Sequence, residues 1–226
     1  MRRALFLAII GLGGAAILIS LGVWQVQRLN WKEGVIADIE SRILADPVAL
    51  PANPDPARDA YLPVRATGTL GQAQLHVLVS QKEVGAGYRV ISPLTLEDGR
   101  IILADLGFVV SSNKETLKTA GPADLTGNLQ WPQEVDGFTP DPDLTANIWF
   151  ARDVPAMARA LGTDPVLLVT RVGSMPDKTV RPLPVETARI PNDHLQYAIT
   201  WFSLAAIWLA MSFFFMRRRR SPTPKV

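Results

Sequence analysis

Two long runs without a formal charge, one at each end, constrain this chain more than anything between them. Between Asp193 and Arg217 lie 23 residues with no Asp, Glu, Lys or Arg. At about 1.5 Å per residue, that much helix crosses a hydrocarbon core of roughly 30 Å. Residues 4–27 form the other run, 24 residues long and directly preceded by Arg2 and Arg3. A cleaved signal peptide starts the same way. This run, however, exceeds an ordinary h-region and passes into an amphipathic continuation rather than a small-residue cleavage site. Two transmembrane helices are therefore predicted, in 1–27 (including a cytoplasmic start) and in 194–216.

Charge orients them. Lys and Arg near span ends stay on the cytoplasmic side, so Arg2, Arg3 and the four arginines at 217–220 predict two cytoplasmic termini, with 217–226 a basic tail. The segment between the runs holds all 21 acidic residues but 16 of the 23 Lys and Arg, a balance of −5. A formal charge of +2 thus hides an acidic outer domain, which argues against a nucleic-acid partner. With no cysteine, disulfides, thiolate zinc sites, thiol nucleophiles and covalently attached c-type haem are excluded. A bacterial inner membrane with the main domain in the periplasm fits these features.

In the first run Gly11, Ala15, Leu18, Gly22 and Gln25 recur at steps of three and four, making one face of small residues that ends in Gln25. In the second, Ala198, Ala205 and Ser212 are seven apart, interleaved with His194, Trp201 and Trp208. Small faces let helices approach closely in lipid. Antiparallel packing on them would bring Gln25 and His194 to one level. An aromatic belt facing membrane lipid accounts for the same tryptophans, and the residues alone leave both readings open.

The first helix is predicted to continue through Trp24, Arg28, Trp31, Lys32 and Ile36 to about Leu44. Arg28 and Lys32, one turn apart just beyond the level of His194, are candidates to pair with carboxylates such as haem propionates; snorkelling interfacial cations give the same pattern. Residues 46–59 contain Pro47, Pro51, Pro54 and Pro56 and predict an extended, non-helical connector, so 28–60 reads as juxtamembrane helix plus Pro-rich connector.

A β-rich domain is predicted over 61–175, with strands at 61–68, 74–79, 88–96, 100–109, 123–131 and 166–172. Asp98-Gly99 predicts a hairpin turn with both residues at positive φ. After a Pro/Asp loop at 132–143, Asp153 is positioned to cap a short helix that carries Pro155 in its first turn and stops at Gly162. Residues 176–193 form a connector. The fold class is α+β: two transmembrane helices flanking one β-rich periplasmic domain with short helices.

No catalytic residue is assigned. Ser111 and Lys114 have the Ser-x-x-Lys spacing of a membrane-tethered hydrolase but lack the further polar motifs such an enzyme needs. Gly85 and Gly87 open no helix and read as turn glycines. His76 stands alone in a strand pattern, and Asp141 and Asp143 flank a loop proline. His194 differs, because it sits where water ends. There an imidazole can bind iron through one nitrogen while the other donates to an oxygen, with Asn192, Asp193 and Gln196 nearby and Trp201 and Trp208 below to pack along a porphyrin. A belt histidine remains the alternative.

Several segments resemble the surfeit locus protein one family: Trp24-Gln25 with Arg28, Trp31 and Lys32; Val64-Arg65-Ala66-Thr67-Gly68; Gly87-Tyr88-Arg89-Val90-Ile91-Ser92-Pro93-Leu94; Asp98-Gly99; Asn147 with Trp149; and His194-Leu195-Gln196-Tyr197-Ala198-Ile199-Thr200-Trp201-Phe202. The last is the most specific. The resemblance implies a non-enzymatic chaperone for cytochrome c oxidase assembly, with haem a as cofactor, the iron on His194, and subunit I, other oxidase subunits or assembly factors as partners. An accessory subunit without haem, stably bound to a respiratory oxidase, is the alternative. Where the family carries Val-Asn-Arg-Gly-Trp-Val-Pro, this chain reads Leu103-Ala104-Asp105-Leu106-Gly107-Phe108-Val109, which puts the outer domain's partner contacts in question.

Overall fold

The computed structural model describes residues 2–218 apart from Glu83 and Arg189; the predicted basic tail lies outside the described residues from 219 onward. The chain forms two compact units, Met1–Asp38 with Thr187–Val226, and Ile39–Glu186.

The first unit is a pair of helices. Helix α1 runs unbroken over Arg2–Leu44, and α4 over His194–Arg218. Both are long and apolar enough to cross a membrane. The chain is accordingly α+β, with an apolar helix at each end of a mixed sheet. Pro47 limits further extension of α1 by disfavouring helical geometry in the residue before it. The carbonyl oxygen of Ile43, one of the last-turn acceptors that no helical N–H can reach, takes hydrogen bonds from Asn128 Nδ2 at 3.2 Å and Arg171 at 3.1 Å.

The second unit is built on seven strands: β1 (Val48–Ala49), β2 (Pro63–Leu70), β3 (Leu75–Gln81), β4 (Gly85–Leu96), β5 (Ile101–Val110), β6 (Gly121–Gln130) and β7 (Asp164–Ser174). Their order is β1-β2-β6-β7-β5-β4-β3, and a further β2–β4 pairing closes the middle five into a barrel. Gly68 permits that closure: a Cβ there would meet the carbonyl oxygen of Thr95 at 2.2 Å. Val64, Leu94, Ile102, Leu106, Leu125 and Leu168 fill the interior, each no more than 1% exposed. Outside the barrel, Ile91, Leu103, Leu167 and Val169 pack under α3 (Val154–Leu161) and Trp149. Asp153 accepts from Ala156 N–H, and Gly162 ends the helix in left-handed geometry, both as the sequence predicts.

Three expectations change. The 46–59 connector is not wholly extended: β1 pairs parallel with β2, and α2 occupies Pro56–Asp59. The Asp55 carboxylate accepts from Ala57 and Arg58 N–H at 2.9 and 3.0 Å, and Pro56 starts the helix because its missing N–H would be unused there. At the β4–β5 hairpin only Gly99 takes positive φ, +85°, while Gly99 N–H closes a turn on Leu96 O at 3.0 Å. A turn followed by one left-handed glycine leaves Asp98 free to bind Arg100, which a mirror-image two-residue turn would not require. Finally, the segment in which the chain departs from the family is β5 itself. Leu103 through Leu106 are fully buried and Phe108 is nearly so. The departing residues therefore lie in a core strand, which carries a register shift opposite Val90 and Ile91.

Candidate functional site

Small side chains bring the two terminal helices together. Gly11, Ala15, Gly22 and Gln25 of α1 are buried, as are Ala198 and Ala205 of α4. Backbone approach is close enough that a Cβ on Gly22 would lie 2.7 Å from the Phe202 ring, and one on Gly14 2.6 Å from the Trp208 indole. Trp208 Nε1 donates to the carbonyl oxygen of Gly11 at 3.0 Å. That hydrogen bond turns the polar edge of Trp208 toward the partner helix, whereas a belt tryptophan would turn it to the interface.

This packing sets Gln25 against His194. Gln25 is 8% exposed, and its Oε1 lies 2.8 Å from His194 Nδ1. A carboxamide oxygen carries no hydrogen, so Nδ1 donates and Gln25 accepts. In the neutral ring that tautomer puts the lone pair on the other nitrogen, Nε2. Sequence reasoning placed Gln25 at this level but looked to Asn192, Asp193 and Gln196 for the oxygen. Those three lie beside His194 along its own chain, where a side chain on a facing helix has the more direct line to the ring. Asn192 Oδ1 is left buried without a hydrogen-bond partner among the described residues.

Arg28 and Lys32 follow Gln25 at three and seven positions along α1. The Arg28 guanidinium lies over the Trp31 ring, 4.6 Å from its centroid, and remains exposed; Lys32 is half-buried. Neither forms an ion pair among the described residues. Trp201, two turns beyond His194 on α4, is half-buried. Deeper in the helix pair, Gly14, Ile17, Leu18, Leu204, Ile207, Trp208 and Met211 line an open apolar groove of about 380 Å³.

The donor set decides what such a site can hold. Among the described residues no group of three or more His, Cys, Asp or Glu is placed to bind a bare metal ion. A single imidazole suits an iron whose other ligands come with it, as in a porphyrin, since a protein haem site needs only one or two axial side chains. The tautomer fixed by Gln25 and the cations beyond it fit that group; the apolar groove begins at Leu204, ten positions farther along α4.

Among the described residues the β unit offers no comparable site. Ser111 Oγ donates to Ala86 O and Lys114 Nζ to Ala146 O, so the hydrolase spacing is spent on separate backbone acceptors. Asp143 accepts from Thr145 and Ala146 N–H, the turn role expected of it. His76 is buried, and its Nδ1 faces Asn147 Nδ2 at 3.1 Å. A charge cluster that sequence reasoning missed joins Arg89 to Asp105 at 2.5 Å and Arg152 to Glu134, with Arg152 also 3.7 Å from Asp105. Asp105 is fully buried. Burial pushes the Glu134 carboxyl up, but hydrogen bonds and charge from Arg152 outweigh it and hold the group below its usual range. The cluster carries no nucleophile. It fastens the 131–153 loop and, through Arg89 to Leu183 O at 3.0 Å, the segment leading away from β7.

Comparison with known proteins finds relatives that match over most of the chain. Human surfeit locus protein 1 is 33% identical over 233 residues, covering 91% of this chain and 75% of the human protein. Its rat counterpart is 32% identical over 234 residues, 92% and 74% of the two chains. A SURF1-like protein from Rickettsia bellii is 27% identical over 200 residues, 84% and 82% of the two chains. The SURF1 family as a whole matches residues 12–206, a span that takes in Gln25, the entire barrel and His194, and the chain belongs to that family.

Proposed function

We propose that this protein is a non-catalytic membrane assembly factor for cytochrome c oxidase that binds haem a between its terminal helices and delivers it to subunit I. The observation that carries the haem reading is the 2.8 Å bond in which His194 Nδ1 faces Gln25 Oε1, so that Nε2 is the ring nitrogen left to bind iron. When bound, the haem would supply a Lewis-acidic, redox-active iron. His194 Nε2 would hold that iron, with Gln25 keeping the imidazole oriented and Nδ1 protonated. Arg28 and Lys32 would pair with its carboxylates, and Trp201 would pack against its apolar surface. A single protein ligand suits a carrier, because release requires giving up one coordinate bond. The basic ends are assigned to the cytoplasmic face of a bacterial inner membrane and the barrel to the periplasm.

The test is an absorption spectrum of the full-length protein purified from cells that make haem A. A haem spectrum that His194→Ala abolishes supports the reading. A spectrum unchanged in His194→Ala, or no haem on the wild type, overturns it.

A further inference from the structure

Between β6 and α3 the barrel unit carries a long loop that is tied down at its base and bare at its tip. At the base, Arg152 N–H donates to Glu134 Oε2 at 2.9 Å and the Arg152 guanidinium clasps the same carboxylate. Higher up, Asp143 and Ile148 exchange two backbone hydrogen bonds of 2.9 Å, and Asp136 Oδ1 accepts from both Phe138 N–H and Thr139 Oγ1 at 2.9 Å. Loops of this length in compact domains are uncommon and tend to be functional.

Trp149 near the base is buried, but this order leaves three other apolar side chains of the loop bare. Phe138 is 95% exposed, Leu144 73% and Val135 55%. Scattered apolar residues on a surface are ordinary, but here an aromatic is held out by hydrogen bonds on both sides of it. An aromatic anchor fixed before binding loses little entropy on association and is the usual energetic centre of an interface. Charge then selects the occupant. Residues 132–151 contain four carboxylates (Glu134, Asp136, Asp141 and Asp143) and no Lys or Arg. Anionic lipid headgroups repel such a loop, and so does a second copy of an outer domain that is itself acidic.

We propose that the 132–151 loop is a docking element that inserts Phe138 into an apolar pocket rimmed by Lys and Arg on a partner protein. Resting on the reading above, the partner is the oxidase under assembly. The experiment measures binding of the full-length chain, in detergent, to purified cytochrome c oxidase lacking it. Phe138→Ala and Asp141→Lys should each weaken binding at least about ten-fold, while the far-UV spectrum and melting temperature stay as in wild type. Wild-type affinity should also fall as salt is raised. Val172→Ala, at another exposed apolar position, should bind as wild type does.

Equal affinity for wild type and both loop variants overturns the proposal, as does a wild type that does not bind. Capture by phosphatidylglycerol vesicles that Phe138→Ala abolishes would make the loop a membrane contact instead, and self-association abolished by the same change would make the occupant a second copy. His194→Ala separates the two proposals: loss of haem with docking intact leaves both standing, and docking by a wild type that never carries haem keeps this one alone.

Discussion

Gln25 Oε1 and His194 Nδ1, 169 positions apart in the chain, share a 2.8 Å hydrogen bond that fixes which imidazole nitrogen is free. Outer partners of this kind alter metal affinity by about 10–100-fold. Gln25→Leu should therefore weaken haem binding by that factor while leaving His194 in place. Gln25→Glu keeps an acceptor and adds charge, which raises the basicity of the imidazole and should lower the reduction potential of the bound iron. A haem titration and a redox titration of each variant check this; a Gln25→Leu protein of wild-type affinity would count against a positioning role.

Helix contact at Gly22 is equally specific. A leucine there would drive into the Phe202 ring, which a Cβ alone already approaches to 2.7 Å. Because the chain has no cysteine, cysteine pairs across α1 and α4 report their contact directly. Cross-linking between positions 15 and 205 should drop sharply in Gly22→Leu and recover in part when Phe202→Ala is added.

How much of this was legible before the structure depends on the range of the interaction. The α3 cap and stop are local, so Asp153 and Gly162 gave them away. Gln25 and His194 are remote, yet partly legible: small residues repeating at helical spacing on both runs suggest a shared face and level, though a lipid-facing aromatic belt fits the same residues. Barrel closure was hidden: the β2–β4 pairing rests on Gly68 meeting Thr95 O, and no local pattern marks a close approach to a strand more than 20 positions away. The Arg152 contact with Asp105 was hidden for the same reason, since a single arginine before a helix looks like any solvated charge until its partner strand is placed beside it. The direction of the Gln25 hydrogen bond was also out of reach, because it depends on which end of a carboxamide faces the ring.

The Asp105 cluster yields a stability prediction. Asp105 accepts from Arg89 and from Gly107 N–H at 3.1 Å in a fully buried position. Asp105→Ala leaves the Arg89 charge without its counter-ion and the Gly107 N–H without an acceptor, a change that costs about 3–5 kcal/mol in buried pairs. Replacing both partners, Asp105→Leu with Arg89→Met, should recover most of the loss. Urea unfolding of the three proteins in the same detergent distinguishes this from a solvent-screened pair, for which all three would agree within about 1 kcal/mol.

His76 makes stability depend on pH. Asn147 Nδ2 can only donate, so the facing Nδ1 accepts and the proton sits on Nε2, which is buried without a partner among the described residues. Protonating the ring would set an N–H against the Asn147 amide. Burial, followed by the Lys114 ammonium, pushes the imidazole down from 6.5 to about 4, with Glu115 opposing weakly. The unfolded chain then binds more protons than the folded one between those values, so the contribution of neutral His76 is intact above pH 6.5 and declines as pH falls toward 4. The loss by the lower limit is on the order of 3 kcal/mol. His76→Gln removes the titrating group and should flatten the stability profile across that window by a similar amount, whatever it costs at pH 7. Unfolding midpoints taken at half-unit steps of pH for both proteins check it, and parallel profiles would mean that the imidazole is solvated as it titrates.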